Sequence, residues 1–162
     1  MARASYRPLR RDDLPHLFRW LREPHVVEWW RNVPADLAAV EAEYGPCVDG
    51  DDPTELFIVE SARRPVGMIQ RYLIADEPAW WPAFDGIIDV SNAAGIDYLI
   101  GEIDAVGKGL GTTLIAGFVA DVFAWRPVDS IVVTVQQANP ASWRILEKAG
   151  FTRIWSGELD SP

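Results

Sequence analysis

A glycine-rich turn between a strand-like segment and a helix-like segment is the part of the sequence best suited to chemistry. Ile96 to Ile103 read as a strand, Gly107, Gly109 and Gly111 follow, and an apolar run of helical period comes next. Glycines at this spacing let the main chain turn tightly, so that successive N–H groups and the next helix N-terminus can point at one anion. The turn predicts a cradle for a phosphate-bearing ligand, although a simple tight turn uses such glycines equally often.

A second candidate binding element is the long irregular stretch at residues 75–94, which is rich in tryptophan and carboxylates. A connection of this length is too long to be idle in a compact domain. Aromatic faces contact sugar rings or cations, and carboxylates pair with ammonium groups. We therefore predict a binding site for a cationic or sugar-containing ligand, made by this stretch and an earlier glutamate; it is called the acceptor site below. Core packing accounts for most of the eight tryptophans. The candidate residues of the acceptor site are Glu28, Asp76, Trp80, Trp81 and Asp85.

Composition limits the classes of partner and compartment. The chain has 162 residues, is 49% hydrophobic and carries a net charge of −9, with 24 acidic against 15 basic residues. This charge argues against nucleic acid or an anionic membrane as partner and favours a cationic one, although acidity also simply keeps a protein soluble. One cysteine, Cys47, and two histidines make a metal site improbable. Without a leader or a membrane-length apolar run, we expect one cytoplasmic domain over residues 1–162.

Capping residues and apolar spacing predict the elements that must position these groups. In the first half they predict two helices and an antiparallel hairpin: a helix capped by Asp12 or Asp13 and ended by Pro24, a helix opened by Pro34 and closed by Gly45-Pro46, and strands at 56–60 and 66–74. The second half predicts a βαβ unit, a helix and one more strand: 96–103, 109–124, 130–135, 140–149 and 151–156. The fold class is therefore mixed α/β.

Several motifs, considered together, resemble one known family. They are Pro24-His25-Val26-Val27-Glu28-Trp29-Trp30, Tyr44, Gln70 with Tyr72, Trp80-Trp81, Gly95-Ile96-Asp97, Gly107 to Thr112, and Asn139 with Glu147 to Phe151. This set resembles the GCN5-related N-acetyltransferase (GNAT) superfamily and, within it, the aminoglycoside 6'-N-acetyltransferases. The resemblance implies a central mixed sheet flanked by about four helices, and it extends from about residue 10 to about residue 155. Because the chain stops where relatives continue, the resemblance also implies a missing last strand and an unpaired sheet edge. A second subunit, an exchange of segments between subunits or a rearranged segment such as Glu158 to Pro162 could cover this edge, and we expect a homodimer.

The resemblance implies acetyl-CoA as the acyl donor. The glycine-rich loop would hold its pyrophosphate, and the main chain of the central strand would pair with the pantetheine arm like an added strand. Val106 occupies a position that often carries Gln or Arg in the superfamily, but main-chain amides do not need that side chain. The donor-binding residues are Leu99, Ile100, Gly101, Val106, Gly107, Lys108, Gly109, Leu110, Gly111, Thr112, Asn139 and Ser142.

For the acceptor side, the resemblance implies that Asp97 accepts the proton of the attacking amine or orients the ammonium. Gln70 and Tyr44 would join it in the acceptor pocket. An aspartate at the start of a strand, a solvent-facing glutamine and a core tyrosine are the alternative interpretations of these three residues. The predicted reaction is acetyl transfer to a primary amine by direct attack, with the 6'-amine of an aminoglycoside as the favoured acceptor.

Two departures from the family pattern keep other functions open. Leu146 lies where the resembling enzymes carry a tyrosine thought to protonate the leaving thiolate, and Thr134 lies where they carry a substrate-side aspartate. A catalytically weak module that binds acyl-CoA or aminoglycosides is therefore one alternative. A siderophore-type lysine or hydroxylysine N-acyltransferase is another, which Asp97 disfavours because those enzymes often carry histidine at this point.

Overall fold

A computed structural model describes residues 3–160. Five strands form one sheet in the order of the chain: β1 (Ala4–Pro8), β2 (Glu55–Ser61), β3 (Arg64–Leu73), β4 (Ala93–Ile100) and β5 (Ser130–Val132). The first four strands pair in antiparallel fashion, whereas β5 runs parallel to β4. The predicted mixed sheet, its hairpin and its βαβ unit are confirmed.

Helices cover both faces of the sheet. They are α1 (Leu14–Trp20), the single turn α2 (Pro24–Val27), α3 (Leu37–Asp49), α4 (Leu110–Trp125) and α5 (Pro140–Lys148). On one face, apolar residues of α1 and α3 bury Ile58 and Met68, while on the other α4 packs Phe118 against Ile69 and Ile96. Because side chains alternate along a strand, adjacent residues of β4 enter different cores. The expectation of about four helices is met by the four that are longer than one turn.

The hairpin between β2 and β3 fixes the register of the sheet. Its two-residue loop, Ala62 and Arg63, has φ values of 50° and 65°, as a type I′ turn requires. A register shift lies between Val59 and Glu60, and from there β3 continues against β4 so that Gln70 is opposite Asp97. The turn and the strand pairing therefore bring two predicted site residues, distant in sequence, next to each other.

Strands β4 and β5 stay together for only three residue pairs among the described residues. The last pair is Gly95 with Val132, and β4 then continues to Ile100 while the chain after β5 turns away. The predicted strand at 130–135 is thus too long. The outer edge of β4 beyond Gly95 is left open on this side, so that its N–H and C=O groups can serve an added strand.

Further expectations about secondary structure are wrong, and one strand was not predicted. Helix α3 does not close at Gly45-Pro46 but runs to Asp49, because Cys47 and Val48 still pack against the core. Gly50, with a φ of 83°, ends it. The predicted strand at 151–156 does not form, because these residues pair with no strand even though Phe151 reaches the core. Strand β1 was not predicted, since its polar and proline residues hide the packing of Tyr6 against Phe57 and Phe118.

One physical limit follows from helix length and polarity. Within residues 3–160, every helix is too short or too polar to cross a membrane.

Candidate functional site

The glycine-rich loop and the start of α4 form the predicted anion cradle. Gly107 and Gly109 have φ values of 75° and 78°, in the left-handed region that glycine adopts without strain. Gly109 caps α4, so the N–H groups of the first helical turn have no helical partner and point toward the loop. This arrangement suits a phosphate group through hydrogen bonds and the helix dipole.

The remaining loop residues divide between packing and exposure. A Cβ on Gly111 would lie 2.8 Å from Cδ1 of Ile145, so this glycine lets α4 approach α5. Leu110 is buried in the core and fixes the start of the helix, whereas Val106 and Lys108 are exposed beside the loop. Because it is exposed, Lys108 can add a cationic contact to a phosphate. The side chain of Thr112, in the first turn of α4, is half-buried.

The C-terminal end of β4 is shaped by a bulge. The N–H groups of both Gly101 and Glu102 donate to the carbonyl of Val66, at 2.8 and 3.1 Å, so two residues oppose one. Gly101 is required here because the ring of Trp20 lies 2.0 Å from where its Cβ would be. The Trp20 indole N–H then donates to Glu102 at 2.9 Å. The bulge ends the strand just before the cradle.

Glu102 anchors this end of β4 by charge as well. It pairs with Arg19 and with Arg64, and these guanidinium groups together with the Trp20 hydrogen bond lower its pKa to about 2. The largest of these effects comes from Arg19. The carboxylate therefore stays ionised and ties α1 to the segment that leads into the cradle.

His25 is a site residue that sequence analysis did not single out. Its Nε2 lies 2.9 Å from the carbonyl oxygen of Ile100, at the open edge of β4. Leu99 is buried and its carbonyl faces β3, where a Cβ on Gly67 would lie 2.1 Å from it. Of these two predicted residues, therefore, only the half-buried Ile100 turns its main chain to the open edge. The sequence could have drawn attention to His25 because this residue lies inside the motif from Pro24 to Trp30.

Asp97 lies at the centre of the acceptor side. Gln70, its partner across β3 and β4, donates from Nε2 to Oδ2 at 2.9 Å, and the Tyr72 hydroxyl donates to the same carboxyl. Burial raises the pKa of Asp97 above its usual range, and these two hydrogen bonds act in the opposite direction. A carboxylate held in this way can accept a proton or orient a cation.

Gly95 explains how Tyr72 reaches Asp97. The Tyr72 ring lies 2.4 to 2.6 Å from where a Cβ on Gly95 would be, so any side chain would displace it. Since residues 95 and 97 share a face of β4, the phenol crosses the bare glycine to the carboxylate. Burial and the Asp97 charge both raise the pKa of Tyr72. Gly-Ile-Asp and Gln-x-Tyr are therefore two halves of one hydrogen-bonded unit, which the separate motifs did not indicate.

Tyr44 borders this unit from α3. It is buried, and its pKa is raised mainly by burial, with smaller effects from the charges of Glu43 and Asp97. Burial likewise raises the pKa of Cys47, one turn further along, to about 11, so its thiol stays protonated.

The tryptophan-rich stretch forms a small core of its own. Trp80 packs with it, and the indole N–H of Trp81 donates to the Ile74 carbonyl at 2.9 Å while the ring remains 45% exposed. Asp85 lines a shallow cavity of about 410 Å³ made by residues 84–89. Asp76 and Glu28 are exposed. The structure thus brings Tyr44, Gln70 and Asp97 together. The other predicted acceptor residues lie around this group and not within it.

The start of α5 faces the open edge of β4. Asn139 caps the helix, its Oδ1 accepting from the Ser142 N–H at 3.4 Å, and the Ser142 hydroxyl lies 2.8 Å from that of Tyr98. Leu146, one turn on, is buried in the core, and Thr134 is exposed. The side chain of Tyr98 was not among the predicted site residues.

Comparisons with known proteins agree with this geometry. A family model described as an acetyltransferase (GNAT) domain matches residues 10–159. Aminoglycoside N(6')-acetyltransferase type 1 of Klebsiella pneumoniae and that of Serratia marcescens are each 32% identical over 161 residues, which cover 98% of this chain and 77% of each relative. The crystal structure of AAC(6')-Ib with coenzyme A and kanamycin has a TM-score of 0.80 at 32% identity, over 93% of this chain and 84% of that one. Spermidine N-acetyltransferase of Vibrio cholerae, 19% identical with a TM-score of 0.75, shares the fold over 98% of this chain and 88% of its own.

Proposed function

Since this chain belongs to the acetyltransferase (GNAT) domain family and is an N-acetyltransferase that uses acetyl-CoA, we propose that its acceptor is the 6'-amine of an aminoglycoside. The observation that carries the proposal is the unit of Asp97, Gln70 and Tyr72 on the strand whose open edge leads to the anion cradle. Relatives named aminoglycoside N(6')-acetyltransferase and a structure with coenzyme A and kanamycin support it.

The donor would bind mainly to main-chain atoms. Its pyrophosphate would accept hydrogen bonds from the loop at residues 107–111 and the first turn of α4, with Lys108 adding a charge. Its extended arm would run along the open edge of β4 beyond Gly95. A main-chain N–H of this edge, near residues 98–100, would polarise the thioester carbonyl.

The acceptor amine would attack the carbonyl carbon directly. An alkyl ammonium with a pKa of about 10 must first lose a proton. The Asp97 carboxylate would accept this proton, or it would orient the ammonium so that a water molecule accepts the proton. The burial that raises the pKa of Asp97 strengthens it as a base. The hydrogen bonds from Gln70 and Tyr72 fix the carboxylate so that one face serves the amine.

The rest of the aminoglycoside would contact the surrounding loops. Such a molecule carries several ammonium groups and sugar rings, which match the carboxylates of Glu28, Asp76 and Asp85 and the faces of Trp80 and Trp81. The net charge of −9 favours its approach.

Release of free thiol from acetyl-CoA tests the proposal. Parallel reactions would contain kanamycin, tobramycin, a lysine-type amine or no acceptor. We expect release with the aminoglycosides alone. Release with lysine alone would replace the acceptor and favour the siderophore-type reaction, while binding of coenzyme A without release would point to the binding module.

We also propose that residues 1–162 act as one domain in the cytoplasm, as a homodimer joined through the free outer edge of β5. Sedimentation velocity at micromolar concentration checks the assembly. Monomer throughout the concentration range would remove the dimer.

A further inference from the structure

A phenol and a hydroxyl bridge the region where β4 and β5 separate. Tyr98 lies on β4, three residues beyond the last pair with β5, and its hydroxyl lies 2.8 Å from that of Ser142 in the first turn of α5. Both side chains are half-buried, so they remain accessible to a ligand in the opening.

The bridge and Asp97 lie on different faces of the same strand. Tyr98 packs toward the core beneath α4 and α5, whereas Asp97 faces the other way, toward Tyr72 and Tyr44. An extended donor along the open edge of β4 would pass between them. Its reacting end would then have a carboxylate on the amine side and a phenol on the side of α5.

Transfer of the acetyl group leaves a charge on the donor's sulfur. The amine forms a bond to the carbonyl carbon, the C–S bond breaks, and the electron pair goes to sulfur as a thiolate. Leu146 is buried and aliphatic, so this position of α5 supplies no proton. A proton donor on the far side from Asp97 would neutralise this charge as it forms.

We propose, on the basis of the N-acetyltransferase function above, that Tyr98 is the catalytic acid that protonates the leaving thiolate and that Ser142 is its positioning residue. The Tyr98 O–H proton passes to sulfur, and the phenolate regains a proton from solvent through the Ser142 hydroxyl. The nitrogen of the acceptor loses two protons, one before it attacks and one as the amide forms. Asp97 takes each in turn and passes the first to solvent, so the reaction yields the amide, the thiol and one proton released to solvent.

The surroundings of Tyr98 suit this role. Burial raises the pKa of its phenol, so the proton is in place at neutral pH. The phenol would share this proton with the sulfur as negative charge develops there, and it would not ionise beforehand. The Ser142 hydroxyl, at a fixed helical position capped by Asn139, holds the phenol at the opening.

Binding of coenzyme A and of desulfo-coenzyme A, measured by calorimetry, tests the contact without any acceptor. We expect the wild type to bind coenzyme A about fivefold more tightly, the worth of one hydrogen bond to sulfur. Tyr98→Phe keeps the ring and should remove this preference. Equal binding of both ligands by the wild type, or an unchanged preference in the variant, would overturn the proposal.

Turnover supplies the second arm. Tyr98→Phe should lower kcat about 100-fold with little change in the KM for acetyl-CoA, and its solvent deuterium isotope effect should disappear. Ser142→Ala should lower kcat about tenfold and serves if Tyr98→Phe fails to fold. Tyr6→Phe, which removes the phenol that bonds Asp121 near the other end of the sheet, is the matched control and should leave both measurements unchanged.

The two proposals fail separately. If no aminoglycoside is acetylated but Tyr98→Phe abolishes the preference for coenzyme A, the acceptor is wrong and the role of Tyr98 stands. If kanamycin is acetylated at the wild-type rate by Tyr98→Phe, the reaction stands and Tyr98 is not its acid.

Discussion

The donor side and the acceptor side of this molecule use different parts of the chain. On the donor side, the cradle at residues 107–111 and the open edge of β4 present main-chain groups, and side chains matter by being absent or buried. On the proposed acceptor side, Asp97, Gln70 and Tyr72 would act through side-chain atoms that three strand positions bring together.

This difference determines how each side responds to substitution. A main-chain site tolerates changes of side chain unless they alter φ or occupy the space of the ligand. A side-chain unit loses its function when one atom is replaced, even if the fold is unchanged. Substitutions that separate donor affinity from turnover therefore test the comparison directly.

The largest effect is expected for Asp97→Asn. The amide cannot accept the amine proton, so kcat should fall about 100-fold or more while affinity for coenzyme A stays the same. The wild-type kcat should rise with pH as Asp97 loses its proton, and the variant should lack this limb of the profile. Asp12→Asn, at an exposed carboxylate in the turn before α1, is the control. Near-normal turnover by Asp97→Asn would mean that the acceptor side does not act through this carboxylate.

Gly95→Ala should have the next largest effect. Its methyl group would occupy the space of the Tyr72 ring and displace the phenol from Asp97, so we expect about a tenfold to thirtyfold lower kcat and a lower melting temperature. The double variant Gly95→Ala/Tyr72→Ala should regain the melting temperature but not the turnover. Full activity of the single variant would show that Tyr72 does not support Asp97.

Gly109→Ala tests the donor side. Alanine at a φ of 78° costs about 1 kcal/mol, and relaxation of the loop should weaken binding of coenzyme A about fivefold to tenfold. Turnover at saturating donor should change little. Gly117→Ala, in the exposed middle of α4 with open space around it, should leave binding unchanged and raise stability slightly. Equal effects of the two substitutions on binding would contradict a main-chain cradle.

The smallest functional effect is expected at Glu102, which lies between the two sides. Its pKa is lowered from 4.5 to about 2, so the ion pairs stabilise the fold above pH 4.5 and this contribution disappears as the pH falls toward 2. Between pH 4.5 and pH 2, the free energy of unfolding measured with urea should fall in the wild type. In Glu102→Gln this fall should be about 1–2 kcal/mol smaller. Donor affinity and kcat at neutral pH should stay within about twofold. An identical acid response of both proteins would remove the role of Glu102.

The strand, turn and helix of the proposed donor side could be predicted from the sequence because their signals are local. Gly107 and Gly109 indicate a tight turn by themselves, and the apolar period after them indicates α4, so strand, turn and helix follow from about thirty contiguous residues. The residues proposed for this side could be chosen before any tertiary contact was known.

The acceptor side could be predicted only in part, because its contacts depend on register. The pairing of Gln70 with Asp97 requires the hairpin turn at Ala62 and Arg63, and the role of Tyr72 requires the space above Gly95. Neither the hairpin turn nor the space above Gly95 can be recognised from residue composition or hydrophobic periodicity. The same limit explains β1, whose few residues become a strand only through packing. It also explains α3, which continues past Gly45-Pro46 because Cys47 and Val48 pack against the core.

The absent side chain of Gly95 also restricts the routes along which this protein can evolve. A change at Gly95 while Tyr72 is still present produces a clash, whereas loss of the Tyr72 ring first leaves room for many residues at 95. The effect of a substitution at either position therefore depends on the other, and the order in which the two substitutions occur also matters. A lineage that keeps the phenol keeps the glycine, and one that gives up the phenol becomes free to rebuild the strand around a different acceptor.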